Sequence, residues 1–289
     1  MTELREINWR SSDGLNLVAT EYGSKDAQKL PVICIPGLTR NARDFEVLAP
    51  WIAALDRRVI AVDLRGRGRS DRDPNPRNYA PPTYAKDIVT LLDSIGVPRA
   101  LFVGTSLGGI VTMTLAAKNV DRIGGAVLND VGPVIAKEGL ARISGYAGKT
   151  PAVRTWDEAL AYAKQTGGVA FPRWNNDDWA VFVRRVFKAG PTGTPVLECD
   201  SGVFRKTHPI MVWLLTPVVW GLFRKLAKGR PALLVRGKIS DVLDAKTAAR
   251  MRKEAPGMGF VEVDDVGHAP TLSEPQAKES LTRFFAEAP

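Results

Sequence analysis

The sequence Ala-Leu-Phe-Val-Gly-Thr-Ser-Leu-Gly-Gly at residues 100–109 joins a short apolar run to a segment with helical character. The joint has the pattern Gly-x-Ser-x-Gly, with Ser106 at its centre. A sharp turn from strand to helix needs small residues beside the serine, because larger side chains would clash there. We therefore expect Ser106 to stand at the top of a sheet with its hydroxyl exposed, where it is a candidate nucleophile.

Probable strands alternate with helical patterns on both sides of this turn. The strands are predicted at residues 6–10, 15–21, 32–35, 58–63, 100–104, 124–130, 232–236 and 259–263. They are largely apolar throughout, which is typical of strands buried on both faces of a parallel sheet. Helical spacing of apolar residues follows at 43–55, 84–95, 106–118, 244–254 and 274–286. The alternation predicts an α/β fold with a mostly parallel, doubly wound sheet.

The alternation stops after Asp130 and resumes near residue 230. Between them the chain is rich in tryptophan, proline and glycine and contains no clear strand. We therefore predict a core of residues 1–130 and 230–289, with an insertion of residues 131–229 after the sixth strand. The insertion contains fourteen basic and seven acidic residues, an excess of seven that makes up most of the net charge of +9. The positive field is expected to lie on the insertion.

A serine nucleophile needs a base, and the chain contains only two histidines. His268 follows the last predicted strand, so its loop should meet Ser106 at the same sheet edge, whereas His208 lies in the insertion and is the weaker candidate. A carboxylate must then orient the histidine. Asp241 is preferred, since it also follows a strand and gives the chain order Ser, Asp, His. Asp130, at the end of the preceding strand, is the alternative.

Attack of a serine on a carbonyl also requires hydrogen-bond donors for the oxygen that becomes negative. One expected donor is the backbone N–H of Leu107, the residue after the nucleophile. The other is expected in the loop after residues 32–35, and we choose the N–H of Leu38. Gly37, which precedes it, would let the backbone approach a substrate closely.

Composition excludes several other classes of protein. The N-terminal residues do not read as a signal peptide, and no uncharged apolar stretch is long enough to span a membrane, which predicts a cytoplasmic protein. Cys34 and Cys199 cannot form a disulfide framework, and two histidines and two distant cysteines predict neither a metal site nor a cofactor. No nucleic-acid-binding signature accompanies the basic charge. The expected partner is a small molecule, with the chain acting as a monomer or homodimer.

Taken together, these motifs resemble the α/β-hydrolase-fold serine hydrolases of the esterase, lactonase and carbon–carbon hydrolase group. The anchors of the resemblance are residues 36–38, 63–70, 104–109, 236–241 and 267–268. The resemblance extends over nearly the whole chain, and it implies that residues 131–229 form a mainly helical cap over the active site. Many members carry His-Gly at the oxyanion loop, where this chain has Pro36-Gly37; a backbone donor does not require that histidine.

Specificity is then expected to depend on the cap and the oxyanion loop. The apolar segment 208–223 should line the pocket, and we name Trp213 and Trp220 from it as pocket residues, together with Gly37 and Arg40. An alternative for the same segment, which is flanked by basic residues, is a lid that touches an anionic membrane.

Three functions follow from the resemblance. The preferred one is hydrolysis of a small to medium, largely apolar carboxylic ester or lactone through an acyl-enzyme. The second is hydrolysis of a C–C bond in a vinylogous diketone, for which Arg40 and Asn41 could supply polar groups. The third is a binding protein that keeps the fold but has little turnover.

Overall fold

The computed structural model describes residues 4–204 and 209–289, with the side chains of residues 209–213 excepted. Within these residues the strands are β1 (Arg5–Arg10), β2 (Asn16–Tyr22), β3 (Val32–Ile35), β4 (Val59–Asp63), β5 (Ala100–Thr105), β6 (Ile123–Asn129), β7 (Phe187–Ala189), β8 (Pro195–Leu197), β9 (Ala232–Gly237) and β10 (Gly259–Val263). The helices are α1 (Leu48–Ala53), α2 (Pro81–Ser94), α3 (Leu107–Leu115), α4 (Lys137–Tyr146), α5 (Trp156–Gly167), α6 (Asn176–Val186), α7 (Pro209–Ala227), α8 (Ala245–Glu254) and α9 (Pro275–Glu287).

Eight strands form one sheet in the order β1-β2-β4-β3-β5-β6-β9-β10. The pairs β1–β2 and β2–β4 are antiparallel, and every other neighbouring pair is parallel. The predicted mostly parallel sheet is therefore confirmed. Because parallel strands all end at the same edge, the loops after β3, β5, β6, β9 and β10 meet there. This edge positions the candidate site.

Apolar layers cover both faces of the sheet, as the doubly wound prediction requires. Phe102 of β5 faces the layer that contains residues of α2, α3, α7 and α8, whereas its neighbours Leu101 and Val103 face the layer formed with α1 and α9. All three side chains are completely buried. Since neighbouring residues of a strand point to opposite faces, a strand covered on both sides is apolar at every position.

The segment between β6 and β9 contains α4 to α7 and a small antiparallel hairpin, β7–β8. No strand was predicted there, because each strand has only three residues and gives no periodic signal. The second half of α7 packs against α3 and β6, and its Trp220, Phe223 and Leu226 join the apolar layer of the sheet. The division into a core and a cap of residues 131–229 stays a prediction, and this half of α7 packs with the core.

In the described residues, no helix combines the length and the apolar character that crossing a membrane requires.

Candidate active site

Ser106 occupies a tight turn between the end of β5 and the start of α3. Its backbone has φ 52° and ψ −112°, a conformation that residues other than glycine rarely adopt. A Cβ added to Gly104 would lie 2.5 Å from the backbone of Gly108, and one added to Gly108 would lie 2.0 Å from the carbonyl oxygen of Ile35. The two glycines of the motif therefore allow α3 to pack directly against β3 and β5 while Ser106 is raised from the sheet.

His268 lies in the loop after β10 and contacts Ser106 directly. Its Nε2 is 2.8 Å from Oγ of Ser106, and its Nδ1 is 2.7 Å from Oδ2 of Asp130. The loop is held close to the sheet because Gly237 and Gly267 meet backbone to backbone; a Cβ on Gly237 would lie 2.3 Å from the carbonyl oxygen of Gly267. This contact explains why both glycines belong to the motifs that carry the resemblance.

Asp130, and not Asp241, is the carboxylate that contacts His268, so the preferred assignment was wrong. Asp130 follows β6 directly and is completely buried. Its Oδ1 accepts from the N–H of Gly237 at 2.9 Å, and its Oδ2 accepts from the hydroxyl of Ser240 at 2.5 Å as well as from His268. These donors satisfy a buried charge that would otherwise be costly. β6 lies next to β5, which places Asp130 at the required edge.

Asp241 instead binds the insertion. Arg142 of α4 donates to it from Nε at 2.6 Å and from Nη2 at 2.8 Å, a bidentate pair. Partial burial opposes ionisation of Asp241, but the hydrogen bonds and charge of Arg142 outweigh it and lower its pKa. Asp241 stands four residues beyond the end of β9, so its loop has room to turn the side chain away from His268 and towards α4.

Two backbone N–H groups beside Ser106 are held in fixed directions. The carbonyl of Gly37 accepts from the N–H of Arg40 at 3.2 Å, and the carbonyl of Ser106 accepts from the N–H of Gly109 at 3.0 Å. In a trans peptide the N–H points opposite to the C=O. The N–H groups of Leu38 and Leu107 therefore point away from these bonds. The two peptides are close, since a Cβ on Gly37 would lie 3.8 Å from Cβ of Ser106.

A cavity of about 190 Å³ opens above Ser106 and His268. Gly37 and Arg40, which were predicted as pocket residues, line it together with Leu38. The insertion supplies six aromatic residues to the remaining walls, which the sequence analysis did not name: Tyr146, Tyr162, Phe171, Trp174, Phe182 and Phe187. The abundance of aromatic residues between positions 146 and 187 was the signal that could have identified them.

Trp220 does not line this cavity, so its prediction as a pocket residue was wrong. It is 2% exposed and packs in the apolar layer of the sheet, with the guanidinium of Arg250 stacked 3.8 Å from its ring. The apolar character of α7 reflects this packing. The side chain of Trp213, the other tryptophan predicted for the pocket, lies outside the described residues, as does His208.

Arg40 is held against the cavity wall. It forms an ion pair with Asp44, and its guanidinium lies 4.0 Å from the ring of Phe182. Asn41, its neighbour, is buried; its side chain accepts from the N–H of Arg43 and donates to the carbonyl of Arg185 at 2.8 Å. Asn41 therefore caps the local turn and joins the loop after β3 to Arg185 of α6. Among the described side chains, no three histidine, cysteine or acidic groups cluster as metal ligands would.

Comparison with known proteins gives close matches over nearly the whole chain. A 3-hydroxybutyrate-oligomer hydrolase of Cupriavidus necator is 34% identical over 285 residues, covering 96% of each chain. A 2-(acetamidomethylene)succinate hydrolase of Mesorhizobium japonicum is 26% identical over 251 residues, covering 86% of this chain and 85% of the relative. The crystal structure of an alpha/beta hydrolase from Novosphingobium aromaticivorans is 40% identical, covers 99% of both chains and superposes with a TM-score of 0.90.

The family model described as the alpha/beta hydrolase family matches residues 32–278. This range begins with β3 and ends within α9, so it includes Ser106, Asp130, His268 and the whole insertion. The chain therefore belongs to the alpha/beta hydrolase family.

Proposed function

We propose that this chain is a serine esterase that hydrolyses short carboxylic esters through an acyl-enzyme intermediate. The observation that carries the proposal is the continuous chain of contacts from Ser106 through His268 to Asp130, which faces a cavity with aromatic walls. A nucleophile bonded to a base, and a base oriented by a buried carboxylate, is the arrangement that acyl transfer needs.

In the first half of the reaction, Oγ of Ser106 attacks the ester carbonyl carbon while its proton passes to Nε2 of His268. Asp130 keeps the other ring nitrogen, Nδ1, protonated and stabilises the imidazolium that forms. The tetrahedral intermediate collapses when His268 gives the proton to the leaving alkoxide oxygen. The alcohol departs, and the acyl group remains on Ser106.

In the second half, a water molecule attacks the acyl carbon as His268 takes one of its protons. The new tetrahedral intermediate expels Oγ of Ser106, which recovers the proton from His268, and the carboxylic acid is released. The proposed sequence consumes one ester and one water and yields one acid and one alcohol, so it requires no cofactor.

The N–H groups of Leu38 and Leu107 are the proposed donors to the oxygen that becomes negative in both intermediates. Leu107 is the first residue of α3, so its N–H has no acceptor within the helix and lies at the positive end of the helix dipole. Each such donor typically contributes about 3 kcal/mol of transition-state stabilisation.

The proposed substrate is an ester of a few carbons on each side of the scissile bond. A cavity of about 190 Å³ with aromatic walls fits a short, largely apolar chain better than a fatty acyl group. The Cupriavidus relative is named for cleaving oligomers of 3-hydroxybutyrate, which are short oligoesters. A short hydroxy-acid oligoester is therefore the favoured substrate, and a small lactone contains the same reacting group.

Hydrolysis of a C–C bond has less support. That reaction was expected to use polar groups from Arg40 and Asn41. Arg40 is paired with Asp44, and both hydrogen-bonding ends of the Asn41 side chain are used within the protein. A binding protein without turnover is likewise disfavoured by the complete set of catalytic contacts.

The proposal is tested by initial hydrolysis rates on p-nitrophenyl esters from acetate to decanoate, on a γ-lactone and on the linear dimer of 3-hydroxybutyrate. S106A serves as the blank. We expect serine-dependent hydrolysis with an optimum at the short esters. Equal rates for the wild type and S106A on every substrate would show that the chain is not a serine esterase.

A further inference from the structure

Lys149 is an exposed cation on the wall of the cavity, three residues beyond the end of α4. Ser106 and His268 form the inner part of the cavity and are only partly exposed, so Lys149 stands on the solvent side. Its Nζ donates to the carbonyl oxygen of Gly145 at 2.5 Å. An ammonium group has three donors, so two remain for a ligand.

The other cations that line the cavity already have carboxylate partners. Within the described part of the chain, these ion pairs are Arg40–Asp44, Arg142–Asp241 and Arg185–Glu46. Lys149 forms no ion pair with any described residue. Asp200 also lines the cavity, and its carboxylate accepts from the hydroxyl of Tyr79 at 2.9 Å and from the N–H of Gly202 at 2.8 Å. Among the described lining residues, Lys149 is thus the cation without a carboxylate partner, and Asp200, whose donors are neutral, is a carboxylate without a cation.

The insertion that supplies most of the cavity wall also has an excess of positive charge. Residues 131–229, which supply most of the cavity wall, contain fourteen basic and seven acidic residues. An excess of positive charge around a cleft raises the local concentration of anions and speeds their entry. The aromatic walls, by contrast, suit an uncharged chain. A ligand that satisfies both has an apolar body and a negative end.

Building on the proposed function, we propose that Lys149 binds a free carboxylate at the far end of the substrate. The substrate class is then a short ester that ends in a carboxylate, such as a linear oligoester of a 3-hydroxy acid. The ester to be cleaved lies at Ser106, the aromatic walls hold the chain between, and the carboxylate reaches the mouth. The relatives named for 3-hydroxybutyrate oligomers and for a succinate are consistent with carboxylate-bearing substrates.

The experiment compares two substrates that differ only in this charge: the linear dimer of 3-hydroxybutyrate and the primary amide of its terminal carboxyl group. Release of 3-hydroxybutyrate is followed by chromatography for the wild type, K149M and K137M. Lys137 is an exposed lysine at the other end of α4 that does not line the cavity, so K137M removes the same charge elsewhere.

We expect the wild type to prefer the acid over the amide in kcat/KM by about fivefold, as a partly exposed ion pair allows, and the preference should weaken at high salt. K149M should reduce the ratio to near one, whereas K137M should keep it.

A ratio near one in the wild type overturns the proposal. So does an equal fall in K149M and K137M, because a long-range field would then explain the preference. If both substrates are cleaved, the esterase function stands whatever the ratio; if no ester is cleaved, the proposed function itself is wrong.

Discussion

Asp130 and Asp241 differ in the direction that their side chains take from neighbouring strand ends. Asp130 is buried and receives three hydrogen bonds, one of them from His268. Asp241 reaches α4 and receives two from Arg142. One carboxylate thus belongs to the proposed catalytic chain and the other to the contact between the insertion and the sheet.

D130N should lower kcat on p-nitrophenyl acetate by roughly a thousandfold or more, because an amide can neither hold the histidine in the required tautomer nor stabilise its charge. D241N should lower kcat by no more than a few-fold. Steady-state rates with purified variants test this, and circular dichroism shows that each is folded. If D241N lowered kcat as strongly as D130N, Asp241 would have to act on His268, although the structure shows no contact between them.

Ser106, His268, Leu38 and Leu107 could be chosen from the sequence because each belongs to a local pattern: a glycine-flanked turn, a glycine-containing loop after a strand, or a helix start. Asp241 could not be separated from Asp130 in this way. Both follow strands, and the side-chain direction depends on how the loop after β9 packs against α4. That packing is a tertiary contact, which a single sequence does not encode locally.

At the scale of elements, backbone hydrogen bonds join α4 and the residue before it to the loop after β9. The N–H of Ala136 donates to the carbonyl of Val242 and that of Gly139 donates to the carbonyl of Asp241, both at 2.9 Å. A Cβ on Gly139 would lie 2.4 Å from the same carbonyl oxygen, so only glycine allows this approach. The Arg142–Asp241 pair completes the attachment and holds a wall of the cavity in place.

This attachment should make part of the stability depend on pH. The pKa of Asp241 is below its usual value of 3.8 in the folded chain, so the pair stabilises the fold above that pH and loses its effect as the pH falls. The wild type should exceed D241N in free energy of unfolding by about 1 kcal/mol at pH 7, and the difference should shrink by pH 3. Urea unfolding at both values measures it. A difference that stays constant with pH would mean that Asp241 contributes through packing alone.

The elements differ in how far the sequence predicted them. The helices of the sheet layers were predicted from the helical spacing of their apolar residues, and the buried strands from short runs that are apolar throughout; most of the predicted ends agree with the structure to within a few residues. The hairpin β7–β8 was missed, and α7 was predicted to line the pocket because its apolar residues could not be assigned to a partner. Trp220 shows the reason: the same apolar side chain suits a pocket wall or a sheet layer, and only the packed structure distinguishes them.

At the scale of the whole molecule, a group of buried stabilising contacts lies at the edge of the sheet opposite to Ser106. Arg57, just before β4, is completely buried at the edge where the parallel strands begin. Its guanidinium donates to four carbonyl groups, those of Leu30, Phe285, Ala288 and Pro289. Burial lowers the pKa of Arg57 despite the nearby charge of Asp56, and the four backbone oxygens that its two Nη groups contact join α9 to the sheet.

R57M should therefore lower the free energy of unfolding by about 3 kcal/mol, since it leaves buried carbonyls without donors. The kcat of the folded fraction should not change, because the substitution is remote from Ser106. R77M is the control: Arg77 is exposed, and its loss removes the same charge. Chemical unfolding and rates measured on the same samples test both statements. If R57M also lowered the kcat of the folded fraction, the two edges of the sheet would be coupled.

The two N–H groups beside Ser106 have one more consequence. Their directions depend on hydrogen bonds made by the backbone carbonyls of Gly37 and Ser106, and on no side chain of Leu38 or Leu107. The cavity walls, meanwhile, come mostly from the insertion. Substrate selectivity and reactivity can thus change independently in evolution. Substitutions in the cavity walls can alter the range of substrates while the reacting atoms keep their positions.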